Sequence, residues 1–210
     1  TVTVIITCHN DGKYLRASVD SALAQVYPHV SVIVVDDGST DQSTLSVLED
    51  IATKRVFVHR QSHLGASAAR NNGSRLANSD YLMFFDAKDR IAPEAIALLL
   101  LELQYHTDKA YAYPCQTVSG DGEFGWASEH YNAYDILWHN QPRVCSLVRG
   151  DWFRNSPGYR PEMLRGGEDW EYWVSLSIRQ GFGQPVPVPV FQHCLEAATI
   201  APTKQAQDHL

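Results

Sequence analysis

The feature that most limits the fold of this chain is a repeated rhythm of apolar run, polar loop and helical stretch. Val2-Thr3-Val4-Ile5-Ile6-Thr7 is β-branched and long enough for a buried strand. It closes in the polar loop Cys8-His9-Asn10-Asp11-Gly12, where Asn10 or Asp11 is expected to cap a helix. Leu15, Val19, Ala22, Leu23 and Val26 then recur at helical spacing until Tyr27-Pro28 stops them. Ser31–Val35 is the next strand, a helix is expected over Ser43–Ile51, and Val56–Val58 is a third, short strand. A helix over Gly65–Leu76, a strand over Tyr81–Phe85, a helix with Pro93 in its first turn and a strand over Ala110–Pro114 follow. Strands that alternate with helices in this way require a mostly parallel sheet covered on both faces.

Beyond about residue 115 the rhythm changes. Ser119-Gly120-Asp121-Gly122 is a turn signal, and an aromatic stretch follows with Trp126, Tyr131, Tyr134 and Trp138. A short strand is expected over Val144–Val148, then a Gly/Pro/Arg loop to Gly167 and a helix starting at Glu168 and ending near Gly181. Val186–Phe191 has alternate prolines, which predict an edge strand, and the chain after about Glu196 reads as a frayed tail.

Composition narrows the classes. At 210 residues with 44% apolar and 20% charged residues, a single soluble domain is expected. The net charge of −7 argues against a nucleic-acid binder. Cys8, Cys115, Cys145 and Cys194 show no C-x-x-C spacing, which argues against a metal cage or redox motif; Cys8, Cys115 and Cys145 lie in or beside apolar runs, so buried free thiols in a reducing, cytoplasmic setting are expected. No run reaches the ~18 apolar residues of a membrane helix and no signal peptide opens the chain, so a cytoplasmic location, peripheral to a membrane or not, is expected; the first residue already lies in a strand pattern, as in a piece of a larger protein.

The strand ends carry the chemistry. Tyr81–Phe85 runs directly into Asp86-Ala87-Lys88-Asp89. Carboxylates at the end of a buried strand are costly unless a cation meets them. With Thr7, His9, Asp36 and Asp37 they fall on one rim of a parallel sheet, where ligands of open α/β sheets gather. The first loop has one glycine, so it offers no G-x-G-x-x-G fingerprint, and no Walker A pattern occurs. Those absences count against an oxidoreductase and against a nucleotidyltransferase.

Several motifs carry a resemblance: Val4-Ile5-Ile6-Thr7-Cys8-His9-Asn10, Val34-Val35-Asp36-Asp37-Gly38-Ser39-Thr40-Asp41, Gly65–Gly73 with Ala69-Arg70-Asn71, Phe85–Asp89 and Gly167-Glu168-Asp169. In that order and spacing the chain resembles the family 2 inverting glycosyltransferases of GT-A fold. The resemblance spans about residues 1–195 of one domain. It implies a nucleotide-sugar half over 1–115, an acceptor and catalytic-base half over 116–195 and a tail over 196–210.

Further implications follow residue by residue. Thr7, His9, Asp37 and Arg70 match positions that hold the base of a UDP-sugar, while Asp36 is expected to organise its turn. Asp86 matches the first acid of the family's D-x-D signature, near ribose and metal. Lys88 stands where the second acid normally binds a manganese or magnesium ion. Three outcomes fit that departure: the Lys88 ammonium meets the diphosphate, a shifted metal site uses Asp86 and Asp89, or transfer is impaired and a nucleotide-binding or scaffold domain remains. Asp89 is otherwise a helix cap. Asp169 matches the general base, with Glu168 orienting the acceptor. Arg165 is a further candidate beside the diphosphate; His193 lies where some relatives place a late histidine, but its local pattern points to a packed or exposed side chain instead. Trp126, Trp138 and Trp170, with Tyr131 and Tyr134, are candidates for stacking on a glycan, lipid-linked or other hydroxyl acceptor.

Overall fold

The computed structural model describes residues 1–119, 124–125 and 131–193. The Gly120–Gly122 turn, Trp126, Cys194 and the expected tail lie outside the described residues, as do the side chains of Cys115 and His193. In chain order the elements are β1 (Val2–Cys8), α1 (Gly12–Leu23), β2 (Val30–Asp37), α2 (Gln42–Ile51), β3 (Val56–Gln61), α3 (Ala66–Leu76), β4 (Tyr81–Asp86) and β5 (Asp89–Ile91). After these come α4 (Ala95–Tyr105), β6 (Tyr111–Ser119), β7 (Phe124–Gly125), a 3-10 turn (Asp135–Leu137), β8 (Leu147–Arg149), α5 (Gly150–Arg154), α6 (Glu168–Ile178) and β9 (Gly183–His193).

All the strands join one sheet in the order β3-β2-β1-β4-β8-β6-β9-β5, with β7 beside β6. β3, β2, β1 and β4 are parallel, as the alternation requires. β8 is inserted antiparallel between β4 and β6. The register sets Thr7 opposite Asp86 and Cys8 opposite Asp36, so the polar strand ends share one rim.

The two faces of the sheet explain the continuous apolar runs. Val4, Ile6, Val32, Val34, Met83 and Phe85 pack beneath α1, α2 and α4. Ile5, Ile33, Val35, Leu82 and Phe84 pack against Ala69 of α3, Phe153 of α5, and Tyr172, Trp173 and Leu176 of α6. With both faces covered, period-2 polarity disappears. α3 lies so close that a Cβ on Gly73 would sit 2.5 Å from Ile5 Cγ2.

Several local expectations are corrected. α1 stops at Leu23, short of Val26, which is 60% exposed. Its N-terminus has no side-chain cap: Asp11 occupies the cap position without capping. Asn10, with φ of 57°, instead bonds across to the next loop, its Oδ1 accepting from the Thr40 and Asp41 amides. α4 begins at Ala95 with Glu94 at its cap position, so Pro93 precedes the helix instead of lying in its first turn, and a short strand, β5, lies between it and the Asp86 turn. Asp89 opens that strand and caps no helix. The expected strand at Val144–Val148 is Leu147–Arg149. β9 lies inside the strand order, yet β5 pairs only with Phe191–His193. The prolines at 185, 187 and 189 therefore lie outside the segment that needs partners on both sides.

Candidate active site

The turn after β2 is built by its two aspartates in different ways. Asp36 is fully buried: Oδ1 accepts from the Ser39 amide at 3.1 Å and Oδ2 from Arg60 Nε at 2.9 Å. This is the organising role expected of it. Gly38 follows with φ of 74°, and a Cβ there would lie 2.7 Å from the His63 amide nitrogen. Only glycine combines that backbone conformation with that approach.

Asp37 reaches the loop before α3. Its carboxylate accepts from the Leu64 and Gly65 amides, each at 2.8 Å, and from Gln61 Nε2 at 2.7 Å. Burial alone would raise its pKa. The Leu64 amide, the Gln61 side chain, the Gly65 amide and the nearby His63 outweigh that and hold it below the usual carboxylate range. Asp37 thus holds loop 61–65 in place, beyond the base-binding position the resemblance implies. His9 Nδ1 and His63 Nδ1 lie 2.8 and 3.0 Å from the Asp37 carbonyl oxygen, and the two rings stack with centroids 4.0 Å apart.

Next to this loop lies a charged cluster. Thr7 Oγ1 donates to Asp86 Oδ1 at 2.6 Å. Arg70, 2% exposed, donates to the same oxygen at 2.9 Å and to Glu168 Oε1 at 2.7 Å. Its guanidinium also lies 5.2 Å from the Tyr159 ring centroid. Burial would lower the Arg70 pKa, but Asp86, Tyr159 and Glu168 outweigh it and hold the guanidinium firmly charged. Asn71, the next residue in the motif, fastens the loop ahead of α6 through the backbone N–H and carbonyl of Tyr159. Through Arg70 and Asn71, α3 therefore ties the rim of the sheet to the segment that delivers Asp169.

Asp169 lies in the first turn of α6. Its Oδ2 accepts from Asn140 Nδ2 at 3.0 Å and its Oδ1 from the Trp170 amide at 2.8 Å. Glu168 is directed to Arg70, toward the Asp86 side. Trp170 is part of the packing, with its indole N–H donated to the Ile136 carbonyl. Trp138 is 75% exposed and Tyr134 is also exposed, near Asn140 in the chain. Arg165 is exposed.

Lys88 is 35% exposed and pairs with Asp11 at 3.2 Å. The fold family implies a divalent cation held by the D-x-D acids, and the residues present do not fit it. Lys88 is an ammonium at the second acid's position. Asp89 is 1% exposed, and its Oδ2 accepts from the Asp86 amide at 3.0 Å, so this carboxylate is buried and engaged in the turn. Among the described residues no group of three His, Cys, Asp or Glu is arranged to hold a metal.

His63 and Asn140 are the site residues the sequence did not reveal. The only signal for His63 was its place in a polar run just ahead of Gly65. Asn140 sits in an irregular loop without a pattern of its own.

With its parallel half-sheet, inserted antiparallel β8 and rim of strand-end acids, the chain has a GT-A fold. A family model described as Glycosyl transferase family 2 matches residues 3–164, and the chain belongs to that family. It is similar to a protein of Rickettsia felis described as an uncharacterized glycosyltransferase, 26% identical over 190 residues covering 87% of this chain and 31% of that protein. It is also similar to glycosyltransferase GlyA of Streptococcus pneumoniae, 33% identical over 112 residues covering 52% of this chain and 16% of that protein. The chain thus spans about a third or less of these two relatives. Among solved structures, S. aureus TarS 1–349 in complex with UDP-GlcNAc matches with a TM-score of 0.77 at 19% identity, covering 93% of this chain and 59% of that one. No helix among the described residues is long and apolar enough to cross a membrane.

Proposed function

We propose that this domain is an inverting glycosyltransferase that moves a sugar from a nucleotide-diphosphate donor, UDP-linked, to an acceptor hydroxyl. The observation that carries this reading is the bridge of Arg70 between Asp86 on the sheet rim and Glu168, the neighbour of Asp169. It sets the strand ends, where a nucleotide gathers in this fold class, beside a carboxylate on a helix N-terminus. Asp169 acts as general base. The acceptor oxygen attacks the sugar's anomeric carbon as its proton passes to Asp169. The bond from that carbon to the phosphate oxygen breaks on the opposite face, and the nucleoside diphosphate leaves with the electron pair. The Lys88 ammonium, paired with Asp11 in the free protein, exchanges that partner for the diphosphate and stabilises its charge. Thr7 and His9 complete the nucleotide side. Trp138 is the exposed aromatic platform for a saccharide or other hydroxyl acceptor. A cytoplasmic location, peripheral to a membrane or not, goes with this reading.

A second reading is favoured by Lys88 itself: a nucleotide-binding domain of the same fold with little transfer. One set of measurements separates them. UDP and UDP-sugar binding is followed by calorimetry with and without manganese, in the native chain and in Lys88→Asp, together with transfer by native and Asp169→Asn proteins. Native binding that ignores manganese, a manganese requirement gained by Lys88→Asp, and transfer lost in Asp169→Asn with binding kept all support the first reading. Nucleotide binding without turnover supports the second. Absence of all nucleotide binding removes both.

A further inference from the structure

Asp169 has a neighbour whose arrangement serves it. Asn140 Nδ2 donates to Asp169 Oδ2 at 3.0 Å, while Asn140 Oδ1 is buried with no hydrogen-bond partner. A buried amide oxygen left unsatisfied is a cost, and such exceptions in native structures call for an explanation. A side chain kept for its own loop would satisfy its oxygen there. This amide makes its side-chain hydrogen bond to Asp169 instead.

The surrounding loop is braced so that Asn140 stays in place. The Asn132 amide donates to Gln141 Oε1, closing segment 132–141 on itself. The indole of Trp170, next to Asp169, donates to the Ile136 carbonyl, and Tyr131 Oη lies 2.6 Å from Ser177 Oγ of α6. Segment 131–140 is thus fastened to α6 near the helix's start and near its end, and Asn140 is presented to the helix's first turn. With the Trp170 amide on Oδ1 and the Asn140 amide on Oδ2, both carboxylate oxygens are held and the plane of the group is set.

We propose that Asn140 is a positioning residue for the transfer reaction, fixing the orientation in which Asp169 meets the acceptor hydroxyl. This rests on the reading of Asp169 as base. Asn140 need not touch donor or acceptor. It removes carboxylate rotation that the reaction would otherwise have to freeze, and small misplacements of a catalytic group cost large factors in rate.

The test uses the full chain with UDP-GlcNAc, UDP-glucose and UDP-galactose as probes and water as acceptor, with UDP release as the readout. Native, Asn140→Leu, Asp169→Asn and the double variant are compared, and UDP binding is measured by calorimetry. Asn140→Leu is expected to lower kcat by roughly ten- to hundredfold with KM and UDP affinity unchanged. In the double variant Asn140→Leu should add no further loss to Asp169→Asn, because it acts only through that carboxylate. A general structural defect would instead disturb UDP affinity and add its loss in both backgrounds. If the native chain turns over, Asp169→Asn does not, and Asn140→Leu keeps the full rate, only the Asn140 inference falls. A fully additive loss also overturns it. If the native chain binds UDP but releases none from any of the three sugars, the transfer reading falls and takes the positioning role with it.

Discussion

Replacing Arg70 with leucine tests the link between the sheet rim and α6 most directly. Arg70 is 2% exposed and makes charge-assisted bonds of 2.7 Å to Glu168 and 2.9 Å to Asp86. Leucine keeps much of the apolar bulk but leaves both carboxylates without the cation. Removing one partner of a buried pair costs about 3–5 kcal/mol, chiefly through the uncompensated charge. The two acids are not equally stranded, since the Asp86 side chain is 44% exposed and that of Glu168 17%. Asp86 can recover water, which brings the expected loss to the lower end, about 3 kcal/mol. For a chain of this size each kcal/mol shifts the melting temperature by about 2–4 °C, so a fall of roughly 6–12 °C is expected. Scanning calorimetry reads the fall. Adding Glu168→Gln should restore part of it, because the stranded charge is gone, with a coupling of about 1 kcal/mol or more. A shift under ~2 °C for Arg70→Leu, or strict additivity with Glu168→Gln, would refute the claim that this bridge holds α6 to the sheet.

Three further outcomes are expected. Gly38→Ala forces a Cβ to within 2.7 Å of the His63 amide nitrogen at φ of 74°, and urea melts should show a loss of about 2 kcal/mol or more; wild-type stability would contradict the packing of the two rim loops. The Asp37 carboxylate is held below its ordinary pKa, so its contribution is complete above about pH 4 and is lost as pH falls through the lower folded value. Asp37→Asn should therefore be less stable at neutral pH and show a flatter acid decline, and an unchanged acid limb would count against the Leu64, Gln61 and Gly65 contacts. Burial pushes the Cys8 thiol up to about 12, helped by Asp36 and Asp11 against the Asp11 backbone contact. Neither Cys8 nor Cys145, both buried, should react with a thiol reagent at pH 8 until the chain is unfolded, as mass spectrometry would show.

Much of this architecture was legible because it is written in local pattern. The apolar runs of Ile5-Ile6, Val34-Val35 and Phe84-Phe85 specify doubly covered strands, and the polar residues that end them fall on one rim by register. The strand ends could also nominate Thr7 and Asp86, and the loop-to-helix junction Asp169, while Arg70 was nominated by the family resemblance alone. None of these could show that Arg70 is shared by Asp86 and Glu168, because that pairing depends on how α3 and α6 pack on the same face of the sheet. Asp37 was readable as an acid at a strand end, but its bonds to the Leu64 and Gly65 amides depend on the sharp turn that Gly38 permits. β5 was missed because three residues between a turn and a proline carry too little periodicity. Asn140 was missed because an asparagine in an irregular loop looks the same whether it faces water or a carboxylate.

The insertion of β8 between β4 and β6 separates the order of folding from the order of the chain. β1 to β4 can zip together from neighbouring segments, whereas the other neighbour of β4 arrives only after the long stretch between β6 and β8 has been made. Contacts that close long loops form late. The helix bearing Asp169 follows β8 in the chain, so the rim of acids can be assembled while Asp169 is still absent. A chain interrupted during synthesis would then hold the rim of strand ends without α6, and pulse-labelled hydrogen exchange should find β1, β2 and β4 protected before α6.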